Sequence, residues 1–124
     1  MPSVAIVGAS PDPSRYSHQA VLRFAAKGWQ VWPVHPSASE IAGHAAVSNL
    51  EQVPQPLDLV CMYVNPSIGL KLLPEIVAVH PRGLWLNPGA DAPELIAAAK
   101  AQGLTVVAAC ALVALQLGDP LTQL

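Results

Sequence analysis

Short apolar runs alternate along this chain with polar or turn-forming segments. Runs rich in β-branched residues predict five buried strands: Ser3 to Val7, Gln30 to Val34, Leu57 to Val64, Gly83 to Leu86 and Leu104 to Ala108. Four further segments predict helices: Ser17 to Lys27, Pro66 to Val79, Asp91 to Gln102 and Ala111 to Leu117. Strands that alternate with helices predict an α/β fold, with a doubly wound, parallel, five-stranded sheet in three αβα layers.

Turn-forming residues mark where these elements begin and end. Gly28 follows the first helix, where a C-terminal cap lies, and Asp91 is placed to cap the third helix, with Pro93 in its first turn. Residues 36 to 56 have little periodicity and several prolines. We therefore expect a surface crossing there, with a short strand or turn near Ile41.

Length and composition narrow the class of protein. At 124 residues, 52% of them hydrophobic and 11% charged, the chain predicts a single domain over residues 1–124, with elements buried on more than one face. A net charge of -2 without a basic run argues against a nucleic-acid partner.

No segment predicts a membrane anchor or a secreted protein. The longest apolar run, Val106 to Leu115, is about half of the roughly 20 residues that span a bilayer. The first residues enter a strand pattern without the features of a signal peptide. Because Cys61 and Cys110 stand alone in apolar surroundings, we expect a reduced, cytoplasmic protein.

The loop after the first strand is the strongest candidate site, because ligands of such sheets bind beyond the carboxyl ends of the strands. Gly8, Ala9 and Ser10 begin this loop, and Arg15 follows just before the next helix. Backbone amides, the positive helix end and a guanidinium together suit a phosphate. Prolines replace the later glycines of the GxGxxG fingerprint. The alternatives are an exposed arginine at a helix start, and turn or capping roles for the loop serines, which are Ser10, Ser14 and Ser17.

The turns after the other strands supply weaker candidates. His35 and Pro36 follow the second strand, where an NAD-binding domain places an acid on the ribose, so a phosphorylated ribose, as in coenzyme A (CoA), fits better here. His35 is equally interpretable as a neutral turn residue. Asn65, after the third strand, can cap a helix or bond a purine edge. Asn87 and Gly89 follow the fourth strand and suggest either a ligand contact or an ordinary turn.

The sequence contains few combinations of residues that are suited to catalysis. Cys61 alternates within a buried strand, and Cys110 has no acid or base near it in sequence, so packing explains both thiols better than nucleophilic chemistry. The histidines lack the spacing of metal ligands. We therefore expect neither a catalytic residue nor a metal site.

These residues together resemble a known family, the small stand-alone CoA-binding proteins, which are similar to the CoA-binding domain of the succinyl-CoA synthetase α subunit. The resemblance covers almost the whole chain and is strongest over residues 4 to 66. The segments that carry it are Val4 to Ser10, Ser14 to His18, Trp32 to Pro36, Glu40 to Gly43 and Leu57 to Val60.

The resemblance implies a Rossmann-like fold and CoA contacts in three turns. The matching positions are Gly8, Ala9, Ser10, Arg15, Tyr16 and Ser17, then His35 and Pro36, then Val64, Asn65 and Pro66. The chain departs from the family pattern in two places. Only Gly89 carries over clearly after the fourth strand, and the family's polar residues near the C-terminus are replaced by Ala108 to Cys110 and by Leu115 and Gln116.

The sequence thus predicts non-catalytic binding of CoA or an acyl-CoA. One alternative is an NAD(P)- or other nucleotide-dependent enzyme or redox sensor on the same architecture. Another is an interaction subunit with a degenerate ligand site, whose apolar C-terminal segment docks on a copy of itself or on a partner subunit.

Overall fold

Seven strands and four α-helices follow one another in the computed structural model, which describes residues 1–124. The strands are β1 (Ser3–Val7), β2 (Gln30–Val34), β3 (Glu40–Ile41), β4 (His44–Ala45), β5 (Leu59–Met62), β6 (Gly83–Leu86) and β7 (Val106–Ala108). The helices are α1 (Tyr16–Ala26), α2 (Pro66–Val79), α3 (Pro93–Ala101) and α4 (Ala111–Leu117). Single 3-10 turns are formed by Leu50–Gln52 and Pro120–Gln123.

Five of the strands form one parallel sheet in the order β2-β1-β5-β6-β7. In the register of this sheet, Ile6 of β1 lies between Pro33 of β2 and Cys61 of β5. The chain leaves β1 toward β2 and later returns on the other side of β1 to β5. The order of the strands therefore reverses between β1 and β5, which is where such sheets open a crevice for a ligand.

Helices cover both faces of this sheet because successive strand residues point to opposite sides. On one face, Phe24 of α1 and Leu112 of α4 pack with Ile6. On the other, Ile76 of α2 and Leu95 of α3 pack in a second cluster of similar size. Each fully buried side chain of this kind contributes on the order of 2 kcal/mol. The expected doubly wound, three-layer α/β fold is confirmed.

The crossing between β2 and β5 contains more regular structure than expected. Strands β3 and β4 form an antiparallel ribbon, closed by Ala42 and Gly43 with φ of 54° and 81°. Positive φ at both central residues is typical of a tight hairpin turn. The chain then pairs with the outer edge of β2, where the amide of Val47 donates to the Pro33 carbonyl and the amide of His35 donates to the Val47 carbonyl.

The expected cap of the third helix was wrong. The N-cap residue is Ala92, which makes no side-chain hydrogen bond, and Asp91 instead accepts a hydrogen bond from the Gly89 amide at 3.1 Å. The carboxylate is used by the turn before the helix, as short polar side chains commonly are. None of the four helices is both long and apolar enough to cross a membrane.

Candidate functional site

Gly8 joins β1 to the loop and is constrained by β5. Its φ is +84°, and a Cβ there would lie 2.8 Å from Val64 Cγ1 and 3.1 Å from the Tyr63 carbonyl carbon. Its amide donates to the Val34 carbonyl at 3.2 Å. We expected this glycine to let a ligand approach the backbone, but its first role is to let the ends of two strands meet. Its own amide is not free for a phosphate.

The amides that follow Gly8 are free. Neither Ala9 nor Ser10 donates its amide to a protein acceptor, and the same holds for the first three residues of α1, Tyr16, Ser17 and His18. A hydrogen bond of 2.9 Å between His18 Nδ1 and the Ser10 carbonyl ties the loop to the first turn of α1. Because a carbonyl only accepts, Nδ1 is the donor. Two sets of unpaired amides thus lie in one small region, beside the positive end of a helix.

Loop side chains mainly stabilise the loop itself. The Asp12 amide donates to Ser10 Oγ at 3.1 Å, and the Ser14 amide and hydroxyl donate to Asp12 Oδ1 at 2.9 and 2.8 Å. These bonds from Ser14 hold the pKa of Asp12 below its ordinary value. Ser10 and Ser14 therefore act in turn chemistry, and neither caps α1, whose N-cap residue is Arg15. Ser17 is buried without a side-chain hydrogen bond.

Arg15 is the free cation of this loop. Its side chain is exposed and makes no salt bridge, and its backbone forms the start of α1. The guanidinium is thus available to an anion at the loop. Asp12, three residues earlier, places a carboxylate in the same loop and opposes part of that attraction.

The turns after β2 and β5 are held by their own polar side chains. His35 Nδ1 accepts hydrogen bonds from the amides of Ser37 at 3.1 Å and Ala38 at 2.9 Å. Asn65 Oδ1 accepts from the Ile68 amide at 3.0 Å and caps α2, in which Pro66 is the first residue. The turn interpretation of His35 and the capping interpretation of Asn65 agree with this geometry.

A cavity of about 280 Å³ opens on the α2 side of the sheet, and we call it the β2-side cavity. Of the sequence-predicted site residues, Gly8, Pro36 and Val64 line it. The full lining is Val7, Gly8, Val34, Pro36, Ser48, Asn49, Leu50, Val64, Ile68, Leu72 and Glu75. Sequence reasoning missed the contributions of the segment 48–50 and of α2.

A second cavity of about 350 Å³, the β6-side cavity, is lined by Tyr16, Tyr63, Asn87, Pro88 and Cys110. Tyr63 packs on the α1 and α4 face of the sheet while Val64 packs on the opposite face, so the end of β5 separates the two cavities. The Tyr63 hydroxyl is buried without a partner. Burial, and to a lesser extent the nearby Cys61 and Cys110, raises the pKa of Tyr63.

Asn87 is a structural clamp at the wall of the β6-side cavity. Its Nδ2 donates to the Met62 carbonyl at 3.1 Å, and its Oδ1 accepts from the Ala111 amide at 2.8 Å. The side chain is 1% exposed, and these bonds tie the ends of β5 and β6 to the start of α4. Gly89 is exposed, has a φ of +96°, and donates its amide hydrogen to Asp91 Oδ1.

Groups suited to covalent chemistry are sparse. Cys61 is completely buried, and burial raises the pKa of its thiol, so it belongs to the core as expected. Cys110 is half-buried between β7 and α4. No three His, Cys, Asp or Glu side chains lie close enough together to hold a metal ion.

The fold and site together define a doubly wound α/β protein with a loop of unpaired backbone amides at the point where strand order reverses. Residues 2–116 match the family described as CoA binding domain, and the chain belongs to that family. The resemblance inferred from the sequence is thereby confirmed.

Three known proteins illustrate the relationship. Uncharacterized protein YneT of Bacillus subtilis is 28% identical over 104 residues, which cover 84% of this chain and 77% of that protein. The structure of cell-free ID.343 from Thermus thermophilus is 34% identical with a TM-score of 0.80, and the match covers 87% of this chain and 81% of that chain.

Acetyl-coenzyme A synthetase 1 of Ca. Korarchaeum cryptofilum, in complex with phosphate and ADP, is similar at a TM-score of 0.73 and 22% identity. That match covers 86% of this chain but 25% of the larger chain, and it shows a shared fold alone.

Proposed function

We propose that the whole chain, residues 1–124, is a single domain that binds CoA or an acyl-CoA without catalysing a reaction. The carrying observation is the group of free amides at Ala9, Ser10 and the first turn of α1, next to the exposed Arg15. Such a group suits a pyrophosphate, which needs several donors and a cation. Membership of the CoA binding domain family supports CoA as the source of that pyrophosphate.

The remainder of the ligand would extend to both sides of the loop. The two cavities flank the end of β5, and each is large enough for part of a long ligand but not for all of it. We place the nucleoside in the β2-side cavity and the pantetheine arm in the β6-side cavity. The predicted contacts from His35 and Pro36 then fall near the ribose, and those from Tyr16 and the Asn87 to Gly89 turn near the arm.

The turn after β2 supports CoA over NAD. His35 stands beside Pro36 and bonds the backbone of its own turn, and no acid stands at the start of this turn to bind the two hydroxyls of an NAD ribose. A ribose that carries a 3′-phosphate meets no like charge there. A non-catalytic role is supported by the buried thiol of Cys61 and by hydrogen bonds that engage the polar side chains of the loop.

Thermal-shift and calorimetric titrations test this proposal. We expect stabilisation in the order CoA, then dephospho-CoA, then NAD far behind, and a ligand at about 100 times its dissociation constant adds roughly 2.7 kcal/mol. Acetyl-CoA in parallel tests whether an acyl group is accepted. NAD binding more tightly than CoA would instead favour the nucleotide-dependent enzyme or redox sensor. No response to any of them would favour an interaction subunit with a degenerate site.

A further inference from the structure

The β2-side cavity is apolar except at three side chains, Ser48, Asn49 and Glu75. Ser48 has no donor left for a ligand, because its amide and its hydroxyl both donate hydrogen bonds to Gln52 Oε1, at 2.8 and 2.9 Å. The groups left for a ligand are the Asn49 amide and the Glu75 carboxylate, which neither accept nor donate a side-chain hydrogen bond within the protein. The cavity thus offers apolar walls and oxygen acceptors.

Asn49 has no structural role that explains its position. It directly precedes the 3-10 turn Leu50–Gln52, where an asparagine ordinarily caps the turn, yet it makes no capping hydrogen bond. Its Oδ1 is buried with no partner. A buried acceptor left unpaired is unfavourable, so a donor from outside the protein, a water molecule or a ligand, is expected to complete it.

Glu75 determines which part of a ligand can enter. It is the only charged residue that lines the cavity, and a carboxylate disfavours a phosphate there. Ile68 and Leu72 line the same cavity on α2 and offer apolar contact for a flat ring. A flat, uncharged ring that carries an N–H donor fits these conditions, and the adenine base with its exocyclic amine has this chemistry.

We propose that Asn49 is the specificity-determining residue of the β2-side cavity and accepts a hydrogen bond from the exocyclic amine of an adenine base. This inference rests on the proposed CoA binding and adds the residue that reads the base. Asn49 lines the cavity, and the broad terminal torsion of asparagine allows its amide to rotate to meet a donor.

The test uses two small probes that lack the pantetheine arm, adenosine 3′,5′-bisphosphate and its purine riboside counterpart, in which a hydrogen replaces the amine. By calorimetry, the unmodified protein should bind the adenosine probe about tenfold more tightly, the value of one well-placed hydrogen bond whose loss leaves a partner unpaired. Asn49→Ala should weaken the adenosine probe by about tenfold, leave the purine riboside probe within about twofold, and so remove the discrimination.

Gln102→Ala is the matched control, because it removes an exposed side-chain amide just after α3, away from the cavity. It should leave both affinities unchanged. Thermal unfolding of each variant shows whether the domain remains folded, and the comparison of probes on the unmodified protein needs no variant at all.

The outcomes distinguish a failure of this inference from a failure of the proposed CoA binding. If CoA binds but the protein accepts both probes equally, or if Asn49→Ala weakens both probes alike, Asn49 does not read the base and CoA binding stands. If neither CoA nor the adenosine probe binds, the proposed function and this inference both fail.

Discussion

The two halves of the carboxyl edge of the sheet differ in how their asparagine side chains are used. Around β1 and β2, the amides of Ala9 and Ser10, the guanidinium of Arg15 and the side-chain oxygen Oδ1 of Asn49 have no partner within the protein. Around β6 and α4, Asn87 uses both ends of its amide inside the protein. Both halves border a cavity of similar size.

This difference teaches that a cavity alone does not define a binding surface. Unpaired donors and acceptors gain free energy when a ligand arrives, whereas a fully bonded amide has nothing left to offer. We therefore expect mutations of the unpaired groups in the first half to change affinity, and mutation of Asn87 in the second half to change stability.

The largest effect is expected at Asn87. Asn87→Ala removes two buried hydrogen bonds and leaves the Ala111 amide unpaired, which should lower the free energy of unfolding by about 3 kcal/mol. Urea unfolding measures this loss. Asn65→Ala, which removes an exposed helix cap, is the matched control and should cost about 1 kcal/mol. A fold of unchanged stability that no longer binds CoA would instead make Asn87 a ligand contact.

A comparison of substitutions at Gly8 and Gly28 separates the cost of backbone strain from the cost of a steric contact. Both have positive φ, +84° and +87°, but a Cβ at Gly8 meets Val64 whereas one at Gly28 meets nothing within 4 Å. We expect Gly28→Ala to cost about 1 kcal/mol and Gly8→Ala about 2 to 3 kcal/mol, the difference being the steric contact. Thermal unfolding of the pair provides the measurement. Equal losses would mean that the ends of β1 and β5 separate easily.

Arg15 should govern affinity without governing stability. Arg15→Ala should raise the dissociation constant of CoA by about tenfold, because one charge-assisted contact to a phosphate is lost. Arg23→Ala, which changes an exposed arginine in the last turn of the same helix, should leave CoA affinity unchanged. Calorimetry at two salt concentrations also shows whether CoA affinity depends less strongly on salt in the Arg15→Ala variant. An unaltered affinity would remove Arg15 from the site.

The smallest effect is expected at Asp12, where Asp12→Asn should tighten CoA binding by about two- to threefold at low salt. Asparagine keeps the oxygen that Ser14 bonds but removes the charge that opposes a phosphate. Because the pKa of Asp12 is lowered, its carboxylate remains charged in mild acid, and the gain should be the same at pH 5 and pH 7. A gain that persists in 1 M salt would point to a cause other than charge.

Local patterns predicted the sheet well. The bounds of β1 and β2 and of helix α2 agree with the sequence, because buried parallel strands are continuous apolar runs and a proline after an asparagine is a strong helix start. Strands β3 and β4 have two residues each, too few for any periodicity to register, so the sequence indicated only a turn near Ile41.

The sequence predicted which loop is the candidate site, but it did not predict how the groups of that loop are hydrogen-bonded. The loop from Gly8 to Ser17 was identified from its residues, yet the occupied amide of Gly8 and the bond from His18 to Ser10 depend on contacts across the fold. The role that we propose for Asn49 has no signal in the sequence, because it rests on the absence of a hydrogen-bond partner for its side-chain oxygen. A missing hydrogen-bond partner can be recognised only when the positions of all neighbouring residues are known.

The pairing of Val47 along the outer edge of β2 has a consequence for assembly. An open strand edge is a template on which another chain can add a strand, by domain swapping or aggregation. Here the main chain at Val47 already occupies the Pro33 carbonyl and the His35 amide, and Pro33 has no amide hydrogen to donate. We therefore expect this side of the molecule to resist edge-to-edge polymerisation even at high concentration.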